Sequence, residues 1–264
     1  MALSEKELIF NLALGHVGDY VVEDGAANTK QYLICDRYYE SARKKTIKAH
    51  PWNECVDRII IPEQEYGAIF EFSNRYALPS DHLKIMSINE QGIDLLLWEV
   101  ESGYIKTDDG QTPQTWVADQ VYVAGMYVTL SSVTYLCNES HTSATATSPA
   151  TDTDTWTTTG GDRKVIYVRY IWDNDDPSTY SEDLKHAISI QLAILVCSHL
   201  TNDVKTKKDL IQEFKQITMP DARSVDAQEG KPRRFYNSMW NRVRRGGVIG
   251  GGRSIRPANA TDTL

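Results

Sequence analysis

Six histidines, four cysteines and two pairs of adjacent aspartates are the residues of this 264-residue chain that could do chemistry. A metal site needs ligands spaced so that one or two elements aim them at one point, as in two histidines a helical turn apart. His16, His50, His82, His141, His186 and His199 form no HxH, no HExxH and no His–Cys cluster. Cys35, Cys55, Cys137 and Cys197 are widely spaced without a CxxC pair, which reads as buried thiols in a reducing cytosol, not as zinc ligands or a disulfide framework. Asp108-Asp109 and Asp175-Asp176 sit beside turn residues, where Asp bonds to local backbone, so they read as turns and not as acid–base pairs. There is no GxSxG elbow. Residues 247–254 have the outline of a phosphate loop with Arg253 in the lysine position, but Pro257 and Leu264 leave no room for the helix such a loop requires. The expectation is no enzyme, no metal and no cofactor.

The elements that would position these residues are those of a globular chain, 41% hydrophobic and 24% charged. No run of eighteen apolar residues is present, so no membrane span is expected. Ser4 to Glu7 lack the layout of a signal peptide, so the Asn138-Glu-Ser140 and Asn259-Ala-Thr261 acceptor patterns carry no meaning. The net charge of −8 is uneven. From Thr201 onward there are 13 Lys or Arg against 7 Asp or Glu, while the first 200 residues hold 15 basic and 29 acidic groups. An acidic body argues against a dedicated DNA-binding domain, because phosphate contacts need clustered cations. The basic C-terminal part suits an acidic protein surface better, with nucleic acid as the alternative partner.

Ser4-x-x-Glu7 predicts a capped helix carrying Leu8, Ile9, Leu12 and Ala13 at helical spacing and ending between Gly15 and Gly18. A second helix is predicted from about Asn28 to Ala49, with Tyr32, Cys35, Tyr39, Ala42 and Ile47 inward. Pro51 stops it at His50, and Trp52 becomes a core anchor. Strands are predicted at 58–61, 83–88, 93–98 and 164–172, with Tyr76 to Asp81 entering a turn. A Thr179-x-x-Glu182 box predicts a helix to Thr201 with Leu184, Ala187, Ile188, Gln191, Leu192, Leu195 and Val196 on one face. A helix from Val204 to Ile217 follows, and another starts with Pro220 at its first position. The glycines of 246–252 predict a flexible tail.

Residues 112–160 contain no Lys or Arg and are crowded with Thr and Ser, which reads as an insertion at a hairpin tip. The order Trp116, Tyr122-Val-Ala-Gly125, Val128, Tyr135-Leu-Cys137 and Trp156 resembles small carbohydrate-binding modules of the chitin-binding type, with Met126 where their pattern has Asp. A three-stranded mini-sheet is expected. Trp116, Tyr122, Tyr135 and Trp156 are either its sugar-stacking surface or its own core.

The rest of the chain, 1–110 and 163–245, resembles the head-to-tail adaptors of short-tailed phages, the tail tubular protein A family. The resemblance rests on Asn11-x-Ala-Leu-x-x-x-Gly18, Tyr38-Tyr39, Lys48-Ala-His-Pro-Trp-Asn53 and Tyr76-x-Leu-Pro-Ser-Asp81. It continues through Arg169-Tyr-Ile-Trp172, Asp176-Pro177 and the blocks Asp226 to Gly230 and Ser238-Met-Trp240. It implies an α+β fold: a helical bundle with a small antiparallel β domain, plus an inserted small all-β module and a flexible C-terminal arm. The expected domains are an adaptor core over 1–111 and 162–245, the insert over 112–161 and the arm over 246–264. The implied function is a virion protein of the tail or neck, made in the host cytoplasm and assembled as a homo-oligomeric, dodecameric ring. The ring would lie between portal and tail nozzle, carry tail fibres or spikes, and pass genomic DNA through its lumen without specific binding. Phe235, Tyr236, Trp240, Arg244, Arg245, Arg253 and Arg256 are the candidate portal-docking residues, with Met239 beside them; the alternative is that Phe235 and Trp240 pack on the protein's own helices. The alternative is a glycan-binding accessory protein of the tail that uses the insert to reach a surface glycan.

Overall fold

The structure, a computed structural model, describes residues 3–23, 29–65, 67, 70–89, 97–144 and 148–228. It is a mixed α+β fold with several small, mostly antiparallel sheets. The docking residues Phe235 to Arg256, the 246–264 arm and the expected strand positions 93–96 lie outside the described residues.

Helix α1 (Glu5–Val17) starts as its residues dictate. The Ser4 side chain accepts from Glu7 N, the Glu7 carboxylate accepts from Ser4 N at 2.8 Å, and Gly18 closes the helix at φ 75°. Its inward face is Ile9, Phe10, Ala13, Leu14 and Val17, so the stripe is rotated from the expected one, and Leu8 and Leu12 face outward. Helix α2 (Lys30–Ala49), capped by Thr29, buries Cys35, Tyr39, Ala42 and Ile47 as its spacing predicts, and ends at His50 in extended geometry.

Helix α3 (Glu182–Leu200) is capped by Ser181, which accepts from Leu184 N, and not by Thr179. Thr179 instead closes a 3-10 turn over Pro177–Thr179 by donating to Asp176 O. Because α1, α2 and α4 all pack on it, α3 is buried nearly all round, Ser189, Ile190, Ala193 and Ile194 included. Helix α4 (Val204–Glu213) runs through a π-turn (Phe214–Thr218) into α5 (Met219–Gln228) without the expected break. Pro220 has no N–H and its ring crowds the carbonyl one turn back, and the wider π-turn just before it absorbs the misfit.

The central sheet is β1 (Val56–Pro62), β12 (Val165–Trp172) and β3 (His82–Ile88), in that order and antiparallel. A second sheet, β2 (Asn74–Ala77), β5 (Tyr104–Thr107) and β4 (Trp98–Glu101), lies against one of its faces. Ile61, Tyr76, Ile85, Ile88, Ile105, Ile166, Val168 and Tyr170 fill the space between them. Strand β3 departs from simple alternation. Arg169 pairs with Ser87 and Tyr170 with Ile85, skipping Met86; Ile171 pairs with Lys84 and Trp172 with His82, skipping Leu83. The bulge at Met86 lets Ile85 and Ile88, three residues apart, share the inter-sheet core, while the bulged residues Leu83 and Met86 turn to the helices.

The insert leaves between β5 and β12 through a neck where Gln111 and Val165 exchange two backbone hydrogen bonds of 2.8 Å. Gly110 sits at this neck because a Cβ there would fall 2.9 Å from Lys164 Cβ and also meet the Tyr76 hydroxyl. Beyond it are β6 (Gln114–Thr115), β7 (Val121–Tyr122), β8 (Tyr127–Leu130), β9 (Val133–Cys137), β10 (His141–Thr142) and β11 (Trp156–Thr158). They form a four-stranded sheet, β11-β9-β8-β6, and a two-stranded ribbon, β10-β7, where the sequence suggested three strands. Residues 114–115 add the fourth strand by parallel pairing with β8, which their polar sequence does not announce.

Candidate functional site

The insert collects the aromatic residues singled out from sequence around one small core. Antiparallel pairing places Trp156 opposite Cys137 and Tyr135 opposite Val128, so these side chains share one face of the sheet. The β7–β10 ribbon covers that face with Tyr122 and His141. The Tyr122 and Trp156 rings meet edge to face at 5.3 Å, and His141 and Trp156 at 5.2 Å.

Tyr122 is 0% exposed and Trp156 2%, so neither offers a ring face to a sugar. The Tyr122 hydroxyl is spent on the chain itself, accepting from Val117 N at 2.9 Å and donating to Val117 O at 3.2 Å. Trp116 and Tyr135 pack against this core but are only half-buried. Of the four candidate glycan residues, two are therefore core and two retain an accessible edge. Met126 follows Gly125 (φ 88°), and its thioether takes the hydrogen bond from Val123 N at 3.4 Å.

Among the described residues Cys137 and His141 come near to a reactive pair, with Sγ and Nδ1 3.8 Å apart. Both are engaged elsewhere. Burial raises the Cys137 thiol's pKa, and the thiol donates to Glu139 O at 3.1 Å. Nδ1 of His141 donates to the same carbonyl at 2.8 Å. A protonated thiol without a base drawing its proton packs; it does not attack.

The remaining histidines are dispersed. His16 and His186 meet at a tilt with ring centroids 5.4 Å apart, His82 bonds to Pro79 O, His50 meets Trp52 edge to face, and His199 bonds to the Tyr38 hydroxyl at 2.7 Å. Among the described residues no three His, Cys, Asp or Glu side chains come together as a metal site. The paired aspartates brace backbone. Asp108 accepts from Ser73 N at 2.7 Å, and Asp176 from Ser178 N at 2.9 Å.

A dense polar arrangement among the described residues lies where helices meet the central sheet, and apart from Thr179 its members were not singled out from sequence. Arg43, 1% exposed, reaches from α2 to the end of β12. Its guanidinium meets Asp173 and Glu40 at 2.8 Å each and donates to Asn174 O. Lys44 approaches the other Asp173 oxygen at 2.9 Å. The Asn174 amide donates to Glu54 O and Thr179, and the Tyr180 hydroxyl donates to Asn174 O at 2.7 Å. Glu54, just after the His50-Pro-Trp-Asn53 block, accepts from Ser181 N at 2.9 Å and from its hydroxyl at 2.6 Å. Burial works against charge on Asp173, but Lys44 and Arg43 outweigh it and hold the carboxyl's pKa below its usual value. This network joins α2, β12 and the start of α3. Arg43 lies one turn after Tyr39 on the apolar stripe of α2, and a cation on such a stripe is the signal that could have found it.

Among the described residues no helix is long and apolar enough to cross a membrane. The chain matches no protein-family model and no curated protein.

Proposed function

We propose that this chain is a structural virion protein: a head-to-tail adaptor that forms a ring between portal and tail nozzle. One observation carries the reading. The sequence blocks that resemble the adaptors follow in the family's order on both sides of an insert. Several of those residues hold joints of the fold. Asn11 brackets the backbone of Val22 with two hydrogen bonds, Trp52 is buried and donates to Thr46 O, and Asp176 caps the turn before α3. Residues selected for shape and not for reaction suit a component that positions partners. The acidic body suits a lumen through which genomic DNA passes without being held. The C-terminal arm over 246–264, with Arg253 and Arg256, docks the portal in this reading together with Phe235, Tyr236, Trp240, Arg244 and Arg245 just before it, and the outer surface receives nozzle and fibres or spikes.

Native mass spectrometry and electron microscopy of the full chain, alone and with the portal protein of the same genome, test this. A closed ring seated on the portal is expected. A chain that stays monomeric and ignores the portal overturns the reading.

A second reading is favoured by the half-buried edges of Trp116 and Tyr135. In it the insert binds a surface glycan and the protein is an accessory of the tail. Binding to a glycan array or insoluble chitin, with and without residues 112–160, decides it.

A further inference from the structure

Among the described residues, helices α1 and α2 each keep an exposed face that includes leucine. On α1, Lys6 pairs with Asp36 of α2 at 2.7 Å, and the Phe10 ring meets Tyr32 and Tyr39 edge to face at 5.6 Å. Leu8 and Leu12 stand two residues on from Lys6 and Phe10, about 200° round the helix, and so point away from α2. They are 41% and 46% exposed and line a groove of about 460 Å³ with Glu5, Asn11, Glu182 and Lys185. Lys185 bridges Glu5 and Glu182 at 2.8 and 3.0 Å, which leaves the groove's rim with one carboxylate in excess.

The same geometry turns a row of α2 outward. Lys30 and Arg37 stand two residues before Tyr32 and Tyr39, on the side of α2 away from α1. Leu33 lies between them at helical spacing and is 53% exposed. Ser41 and Lys44, both exposed, continue the row. The carboxylates beside it, Asp36 and Glu40, are turned to Lys6 and Arg43. One face is thus apolar with an acidic rim, and the other is a leucine flanked by cations. They look away from each other across the α1–α2 contact.

We propose that a second copy of this chain docks its α2 row into the α1 groove. Leu33 of one copy packs on Leu8 and Leu12 of the next. The stems of Lys30 and Arg37 cover the groove's walls, and their charged heads reach Glu5 and Glu182. Charge selects this pairing. Two α1 faces brought together would oppose Glu182 with Glu182, and two α2 rows would oppose Arg37 with Arg37, whereas the cross-pairing joins opposite charges. A contact between two different faces repeats head to tail, and closes into a ring when the rotation allows. The inference rests on the ring reading and names the surfaces by which neighbouring subunits meet.

The test assembles the full chain on the portal protein of the same genome, with Leu12→Cys, Leu33→Cys or both, and adds a short bismaleimide. The native cysteines are buried, and both leucines are exposed, so the melting temperature should stay that of the parent. The double variant should give a ladder of covalent multimers, and each single variant none. Arg37→Glu should weaken assembly about tenfold or more, and adding Glu182→Arg should restore most of it. Rings that form without the ladder overturn the contact and leave the ring reading standing. Leu12→Cys linking to itself as readily as to Leu33→Cys means two-fold pairing and overturns the contact as well. A ladder of open chains without closed rings upholds the contact and sinks the ring. A chain that stays monomeric even with the portal overturns both.

Discussion

The guanidinium of Arg43 meets the carboxylate of Asp173 at 2.8 Å, tying the middle of α2 to the residue that follows the central sheet's inner strand. Asp173 N in turn donates to Asp81 O at 2.7 Å, so the pair also reaches the turn before β3. A charge buried with its partner is worth little as a pair, but removing one member strands the other. Arg43→Ala should therefore cost about 3–5 kcal/mol in chemical denaturation, whereas Arg43→Met with Asp173→Leu should recover most of the loss. Equal losses in the single and double variants would mean that the network, not the stranded charge, carries the stability.

The same pair sets an acid response. Asp173 titrates below the usual carboxylate range in the folded chain. Its stabilising effect is therefore complete above the unfolded-state pKa, about 4, and disappears as pH falls through the lower folded value. The melting-temperature gap between the parent and Asp173→Asn should be widest above about pH 5 and close as the pH falls through the lowered pKa of the folded carboxyl. Asp176 and Asp203 are also shifted down, but they are common to both proteins and cancel from the difference.

In the insert, packing and ligand contact fall on different aromatics. Trp156→Ala should cost about 3–5 kcal/mol locally and expose the amides of β9 and β11 to hydrogen exchange. Trp116→Ala and Tyr135→Ala should leave β9 and β11 protected while removing any glycan binding. If Trp156→Ala preserved both exchange protection and binding, the assignment of core and surface would be reversed.

The cysteines should be silent. All four are free and buried, and burial pushes the Cys35 and Cys55 thiols up to about 12. Because the thiolate is the reactive form, a thiol reagent at pH 8 should label none in the native chain within minutes and all four in denaturant. Fast labelling of Cys137 alone would show that the insert opens independently.

Gly110 tests the neck. Any side chain there must push against Lys164 Cβ and the Tyr76 hydroxyl, which itself donates to Asp109 O at 3.0 Å. Gly110→Ala should cost about 1–3 kcal/mol by thermal denaturation, a typical penalty for overpacking, and Gly110→Ala with Tyr76→Phe should cost less than the single variants' sum.

The sequence by itself determined what is local. Ser4 and Glu7 capped α1, Pro51 ended α2, and alternating Val, Ile and Tyr made β12 a strand, because each effect acts within a few residues of its cause. Its composition also separated residues 112–160 from their surroundings. Which side of α1 turns inward was decided only by where α3 lies, and Leu8 and Leu12 lost that contest to Phe10 and Leu14. Ile85 and Ile88 share a core only because a bulge at Met86 shifts the register of β3 between them, and a bulge depends on the partner strand. The roles of Tyr122 and Trp156 could be read from sequence either as surface or as core. Burial depends on what the β7–β10 ribbon covers, and that makes both of them core. The Arg43 network is likewise a tertiary fact. Arg43 and Asp173 come from elements separated by the whole insert, and a charge far along the chain leaves no local trace of the partner it will meet.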